Sequence, residues 1–363
     1  MDTRPYYHFT TPHGWLNDPN GLVYVDGKYH LFYQHNPREP VWAPDLCWGH
    51  AISTDLFHWQ PLPSVLPARA LPGGGLSGSW SGSAVIDKRN SSGLGSLDKP
   101  PVMLFFTATG IGQCMAFSLD KGLSFRLWPE NPVLPFDDPA NHDWDRDPRV
   151  FYYEPDKIWI MVISKTGKGF FLYRSHDLKS WVPAGSIPGL FECPDMFQLP
   201  VDGDKSSSRW VVHDASGKYY VGRFNGFGFR AEGEPQHVDY GSSYYAAQSW
   251  SNAPLERSRR ISIAWMRGSD FPGAVYSQQL SVPCELTLRT SPNGIRLFRY
   301  PVRELRSLRH ESRTWRSRAL TTGSALRAEV AGPALDIELE LTVSPDARLY
   351  LDCSGSRLEW SDG

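Results

Sequence analysis

Ser53-Thr54-Asp55-Leu56-Phe57-His58-Trp59 is a polar turn closed by an aromatic ring, and the chain repeats it. Ser118-Leu119-Asp120-Lys121-Gly122-Leu123-Ser124-Phe125 has the same plan, as has Ser175-His176-Asp177-Leu178-Lys179-Ser180-Trp181. Arg223-Phe224-Asn225-Gly226-Phe227 is a weaker fourth copy. The copies follow short runs dense in aliphatic and aromatic residues at 28–34, 102–107, 158–163 and 210–213, and a fifth such run lies at 261–266. That composition suits strands buried on both faces, so these runs are expected to be the inner strands of their sheets. A strand, a Ser-x-Asp turn and a closing aromatic, recurring about every 50–70 residues, is the period of a four-stranded propeller blade. Helical periodicity is nearly absent before residue 300, and Gly and Pro punctuate the chain throughout. The expected fold is all-β, with a five-bladed β-propeller over residues 1–300.

Beyond the repeat the pattern changes. Residues 301–318 read as an Arg-rich connector that includes Arg303, Arg306, Arg309, Arg313, Arg316 and Arg318. A polyanion patch is the sharper reading of this stretch. Glu304, Glu311, Pro301 and the lack of an aromatic platform favour a solvated crossing between domains instead. Within 319–363, the stretch Ala334-Leu335-Asp336-Ile337-Glu338-Leu339-Glu340-Leu341-Thr342-Val343 alternates strictly and predicts a half-buried strand. Arg348-Leu349-Tyr350-Leu351-Asp352 predicts another. The tail is thus expected to be a short, truncated part of a β-sandwich, whose apolar face seeks another chain or the propeller flank.

Composition narrows the partners. The 363 residues carry a formal net charge of −2 with both signs interspersed, which favours neither nucleic acid nor an anionic membrane. No apolar run approaches the roughly 20 residues that span a bilayer. The start, Met1-Asp2-Thr3-Arg4, has no apolar leader, so cytoplasmic residence is the default expectation, with secretion if the start is incomplete. Five scattered cysteines without CxxC spacing read as free thiols. Eleven histidines without an HExxH pattern give no metal site, and no cofactor is expected.

Three acidic segments carry the chemistry. Trp15-Leu16-Asn17-Asp18-Pro19-Asn20-Gly21 holds Asp18 in a turn, where Pro19 favours an extended Asp18 and Asn20-Gly21 turns the chain. Trp144-Asp145-Arg146-Asp147-Pro148 and Phe191-Glu192-Cys193-Pro194-Asp195 again set carboxylates beside proline and aromatic rings. Paired carboxylates flanked by apolar faces suit glycosidic bond cleavage. Asp18, Asp147 and Glu192 each fall at or just beyond the start of a blade, so a funnel at one end of the channel can gather them.

The ordered set WLNDPNG (15–21), RDP (146–148) and ECPD (192–195) resembles glycoside hydrolase family 32, the family of invertases, levanases and inulinases. Segments 29–34, 48–51, 80–83, 245–249 and 278–283 resemble it in the same order, so the likeness runs from about residue 6 to 308. The resemblance implies the five-bladed propeller and a retaining β-fructofuranosidase acting on sucrose, levan or inulin ends. By that likeness Asp18 is the nucleophile at the anomeric C2, Glu192 the general acid and base, and Asp147 the transition-state stabiliser, with Arg146 beside it. Retention calls for carboxyl groups about 5–5.5 Å apart, one ionised and one protonated. Sugar contacts are implied at Asn17, Gln34, Trp42, Trp80, Ser81 and Trp265. Gln34 stands out as a polar end to an apolar strand, whereas Trp265 sits in a strand where core packing is an equal alternative. Cys193 is read as packing beside Glu192, not as a nucleophile. A fructosyltransferase, a non-catalytic fructan-binding propeller and an arabinan-acting relative of the same fold are the competing readings.

Overall fold

The computed structural model describes residues 4–72, 74–137, 145–254, 259–316, 318–327, 332, 334–353 and 355–361. Trp144, quoted with the second acidic segment, lies outside the described residues. The chain divides into two compact units, Met1–Arg306 and Ser307–Gly363.

In the first unit, five blades of four antiparallel strands follow one another in chain order, with short extra strands at some edges, and a parallel pairing of Val201 with Leu288 joins blades IV and V into one nine-stranded sheet. Blade I comprises Gly14–Val25, Lys28–Asn36, Cys47–Ser53 and Gln60–Val65; blade II comprises Ser79–Ile86, Val102–Ala108, Gly112–Ser118 and Arg126–Leu127. Blade III runs through Asp145–Tyr153, Ile158–Lys165, Gly169–Ser175 and Val182–Ile187, and blade IV through Asp195–Val201, Asp204–His213, Lys218–Phe224 and Phe229–Ala231. Blade V is Tyr244–Ser249, Arg260–Met266, Cys284–Ser291 and Gly294–Pro301. The expected five-bladed propeller is the fold of this unit. Its ring closes where blade I meets blade V. Val23 bridges Ser251 in parallel, Tyr24 N donates to Ser251 O at 2.9 Å, and Leu280 N donates to Phe9 O at 2.9 Å.

The apolar runs are the second strands of their blades, not the innermost ones as their composition suggested. Their alternate residues feed two different cores. Met103 and Phe105 pack between blades II and III, while Leu104 and Phe106 pack between blades I and II. Ile158, Ile160 and Val162 likewise face blade IV, whereas Trp159, Met161 and Ile163 face blade II. A strand sandwiched between two interblade cores has no polar face to show. The innermost strands instead carry buried polar groups, among them Asn20, Ser81, Arg149, Asp195 and Gln248.

The repeated phrase joins the third strand of a blade to the fourth. In blade I, Ser53 Oγ accepts from Leu56 N, and Asp55 Oδ1 accepts from Phe57 N and His58 N. Ser118 and Asp120 repeat this in blade II, and Ser175 and Asp177 in blade III. The turn requires a left-handed residue, supplied by Leu56 (φ 73°), Lys121 (φ 64°) and Leu178 (φ 65°). In the fourth copy Asn225 Oδ1 accepts from Phe227 N and Gly228 N, doing the work of the Asp. The closing Trp59 and Trp181 each donate their indole N–H to the carbonyl of that left-handed leucine.

The second unit corrects one expectation. Residues 335–343 form no strand: Leu335, Ile337, Leu339 and Leu341 are exposed, and no backbone ladder covers their edges among the described residues. The second expected strand is present as Arg348–Cys353, paired with Ser356–Ser361 in a hairpin. The start of the Arg-rich stretch is a short 3-10 helix, Arg303–Leu308. No described helix is long and apolar enough to cross a membrane. All five cysteines are free thiols.

Candidate active site

Four of the five innermost strands break register where they deliver a candidate site residue. The irregularity spans Asn17–Asp18 in blade I, Trp80–Ser81 in blade II, Asp147–Pro148 in blade III and Ala246–Ala247 in blade V. β-Bulges of this kind re-aim side chains that a regular pleat would send into the core. Blade IV achieves the same end just before its first strand, where Glu192 (φ 56°) and Cys193 (φ 42°) are left-handed. Asp147 (φ 65°) and Ala246 (φ 50°) share that conformation. Each such non-glycine residue costs about 1–3 kcal/mol and persists only where its surroundings hold it. The holding bonds are present. Asp147 N donates to Thr107 Oγ1, Glu192 N to Ser164 Oγ, Cys193 N to Asp147 Oδ2 and Ala246 N to Ala215 O, all at 2.8–2.9 Å.

Asp18, Asp147 and Glu192 come together in this way from blades I, III and IV. Asp18 Oδ2 accepts from Ser81 Oγ at 2.6 Å, while Gln34 Nε2 approaches the same oxygen at 3.4 Å. Oδ1 accepts from Asn17 Nδ2 at 3.1 Å, and Trp15 Nε1 fixes that amide by donating to Asn17 Oδ1 at 2.9 Å. Burial pushes the Asp18 carboxyl above its usual range; the Ser81 and Asn17 hydrogen bonds oppose this, and the charge of Glu192 adds to it. Burial likewise pushes Asp147 up to about 7, opposed by Arg146 and reinforced by Glu192. Glu192 is held on both oxygens. Arg146 Nη2 pairs with Oε1, and the Tyr245 hydroxyl donates to Oε2 at 2.5 Å. Cys193 links the group, its Sγ lying 3.5 Å from Asp18 Oδ2 and 3.7 Å from Asp147 Oδ2. Burial and the three neighbouring carboxyls raise its thiol well above the usual value, so it acts as a donor and not a thiolate.

The other expected sugar contacts divide. Asn17, Gln34 and Ser81 are buried directly on Asp18. Arg146 lies 5.9 Å from the Trp80 ring and 5.8 Å from the Phe191 ring, beside Glu192. Trp265 is half-buried; its ring stands 6.1 Å from Tyr245 and 6.2 Å from Trp15, and its indole donates to Gln278 Oε1. It therefore borders the site as well as the core between blades I and V. Trp42 is not brought in. It sits on the loop after Lys28–Asn36 with 51% of its surface exposed, and among the described residues no hydrogen bond or ring contact joins it to the acids. The same loop does reach Trp80, whose indole donates to Pro44 O at 3.2 Å.

Three supporting residues escaped the sequence reading. Tyr245 holds Glu192, yet it appeared only as part of the segment 245–249. Thr107 and Ser164 hold the left-handed backbones of Asp147 and Glu192. Both are polar ends to long apolar runs, the same signal that marked Gln34.

Residues 8–301 match the model of the glycosyl hydrolases family 32 N-terminal domain. Over 373 residues the chain is 39% identical to a levanase of Bacillus subtilis, a match covering 95% of this chain and 54% of that protein. It is 34% identical to invertase 1 of Saccharomyces cerevisiae, covering 93% of this chain and 69% of the invertase. Among solved structures, an exo-inulinase from Aspergillus awamori superposes with a TM-score of 0.75 at 30% identity, over 83% of this chain and 68% of that one. A fructofuranosidase from Schwanniomyces occidentalis complexed with fructose gives 0.73 at 30% identity, over 82% and 63%. The chain thus spans about half the length of the levanase and about two thirds of the others.

Proposed function

The chain belongs to glycosyl hydrolase family 32, and on that footing we propose that it is a retaining β-fructofuranosidase, releasing fructose from the non-reducing ends of sucrose, levan or inulin. The observation that carries this is the convergence of Asp18, Asp147 and Glu192 from three blades into one cluster, with Asp18 and Asp147 buried and Glu192 partly exposed, each in a different hydrogen-bonding environment. The relatives' names, levanase, invertase and exo-inulinase, support the substrate class.

Asp18 is the nucleophile in this reading. Its carboxylate attacks the anomeric C2 of a β-fructofuranosyl unit as the glycosidic C–O bond breaks, forming a fructosyl ester. Ser81 and Asn17 donate to both oxygens, which stabilises the charge that burial disfavours and keeps the carboxylate oriented. Glu192 gives its proton to the leaving oxygen. It then takes one from the water that attacks C2, regenerating Asp18. A hydroxyl can donate or accept, so Tyr245 serves both protonation states of Glu192. Asp147 and Arg146 face the ring hydroxyls, with Asp147 binding more strongly as positive charge develops on the sugar. A retaining pair stands about 5–5.5 Å apart.

Incubation with sucrose, levan and inulin tests the proposal through its products. Free fructose as the first product is expected. Chain-lengthened oligosaccharides in place of fructose would assign the protein to fructosyl transfer, and no turnover of any of the three would overturn the reading.

A further inference from the structure

Arg149 and Asp195 lie two and three residues after Asp147 and Glu192, and both side chains are almost fully buried. Arg149 Nε stands 2.9 Å from Asp195 Oδ1, out of line for a directed hydrogen bond, so the contact is one of charge. Asp195 Oδ2 accepts from both Ser249 N (2.8 Å) and Ser249 Oγ (2.5 Å), while Arg149 Nη1 donates to Ser249 O at 3.2 Å. His213 Nε2 lies 3.6 Å from Asp195 Oδ2. Burial opposes the Asp195 charge, but Arg149, His213 and Arg260 outweigh it and hold the carboxyl far below its usual range.

The three residues sit on the innermost strands of blades III, IV and V. Each occupies a place just past the local irregularity. Arg149 is the first residue back in register after the Asp147–Pro148 bulge, and Asp195 opens the regular ladder after left-handed Glu192 and Cys193. Ser249 is second after the Ala246–Ala247 bulge. Stability alone does not account for such a cluster, because a buried ion pair is often no better than apolar packing. A role in fixing register does account for it, since a bulged strand has lost that constraint where the site needs it most. We infer that Arg149, Asp195 and Ser249 are positioning residues, a clasp across three blades that sets the spacing of Asp147, Glu192 and Tyr245. The inference rests on the fructosidase reading for its kinetic consequence but not for its structural one.

The test compares Asp195→Asn and Ser249→Ala with Glu304→Gln, which weakens an ion pair outside the clasp, to Arg259 just before the second strand of blade V. Steady-state kinetics on sucrose are measured well below the melting temperature of each variant. Asp195→Asn is expected to lower kcat by about 10²-fold, the scale of a 1 Å misplacement, with KM within about twofold. Ser249→Ala is expected to lose about tenfold in kcat, because it removes one of two donors and leaves the charge pair. Glu304→Gln should lower the melting temperature and leave kcat unchanged. If Asp195→Asn does not fold, Ser249→Ala still decides. A kcat equal to wild type in the folded clasp variants, or losses matched by Glu304→Gln, overturns the clasp. Crystal structures of Ser249→Ala and the wild type give a readout without substrate, in which the Glu192–Tyr245 hydrogen bond should be displaced in the variant. An inactive wild type with that displacement would sink the fructosidase reading and leave the clasp standing, whereas an unmoved Glu192–Tyr245 pair would sink the clasp.

Discussion

At the scale of single residues, the proposed reaction asks different work of two carboxyls. Asp18→Asn cannot form an ester with the sugar, so turnover should fall by roughly 10⁴-fold or more, the order lost with a nucleophile elsewhere. Circular dichroism should show the fold unchanged, and activity within tenfold of wild type would remove Asp18 from the mechanism. Glu192→Gln should cost about 10²–10⁴-fold on sucrose, the usual contribution of general acid catalysis. A fructoside whose leaving group departs without a proton should suffer much less in the first step. Equal losses on both substrates would mean that Glu192 does not protonate the leaving oxygen. The supporting residues explain why these two carboxyls differ: Asp18 is ringed by Ser81, Asn17 and Gln34, whereas Glu192 meets a guanidinium and a phenol.

At the scale of the element, the repeated turn is a structural device remote from the chemistry. Asp177 accepts two backbone N–H groups in blade III. Asp177→Ala should therefore cost roughly 0.5–2 kcal/mol, as loss of a comparable cap does, and leave kcat untouched. A stability change near zero in denaturant unfolding would show that the turn needs only its left-handed Leu178. This element was legible in the sequence because every interaction in it is local. Asn225 is the informative copy, for it keeps the acceptor and loses the charge, and the motif was faint for that reason. The bulges were not legible, because register is a relation between two strands and leaves no mark on one. The ranking of strands failed for a related reason. Apolar density identifies a strand between two interblade cores, and those are second strands, while Arg149 and Asp195 give the innermost strands a mixed composition. At 335–343 the alternation marks apolar positions, but these become one face of a strand only where a partner ladder pairs with the backbone.

At the scale of the whole molecule, five interblade cores hold a ring whose centre is polar, and burying carboxyls there has a cost that varies with pH. Asp147 carries its proton up to about pH 7 when folded, against an ordinary value of 3.8. Between those values the folded protein binds a proton that the unfolded chain has released, so stability falls as pH rises through the window. Asp147→Asn abolishes this dependence. Its melting temperature relative to wild type should therefore rise steadily from about pH 4 to about pH 7 and level off above. Parallel curves in calorimetry across that range would mean that burial does not raise the Asp147 carboxyl in the folded protein. The variant should also lose activity, which would separate the stability gain from function and show that the buried acid is retained for catalysis.

The most direct measurement of the central claim is to trap the sugar on the protein. In Glu192→Gln, an activated β-fructoside can complete the first step, but water lacks its base for the second. The account predicts a pre-steady-state burst of leaving group, and mass analysis of the quenched protein should find one fructosyl unit on the peptide that contains Asp18. A burst-free time course, or a fructosyl unit on any residue other than Asp18, would contradict it.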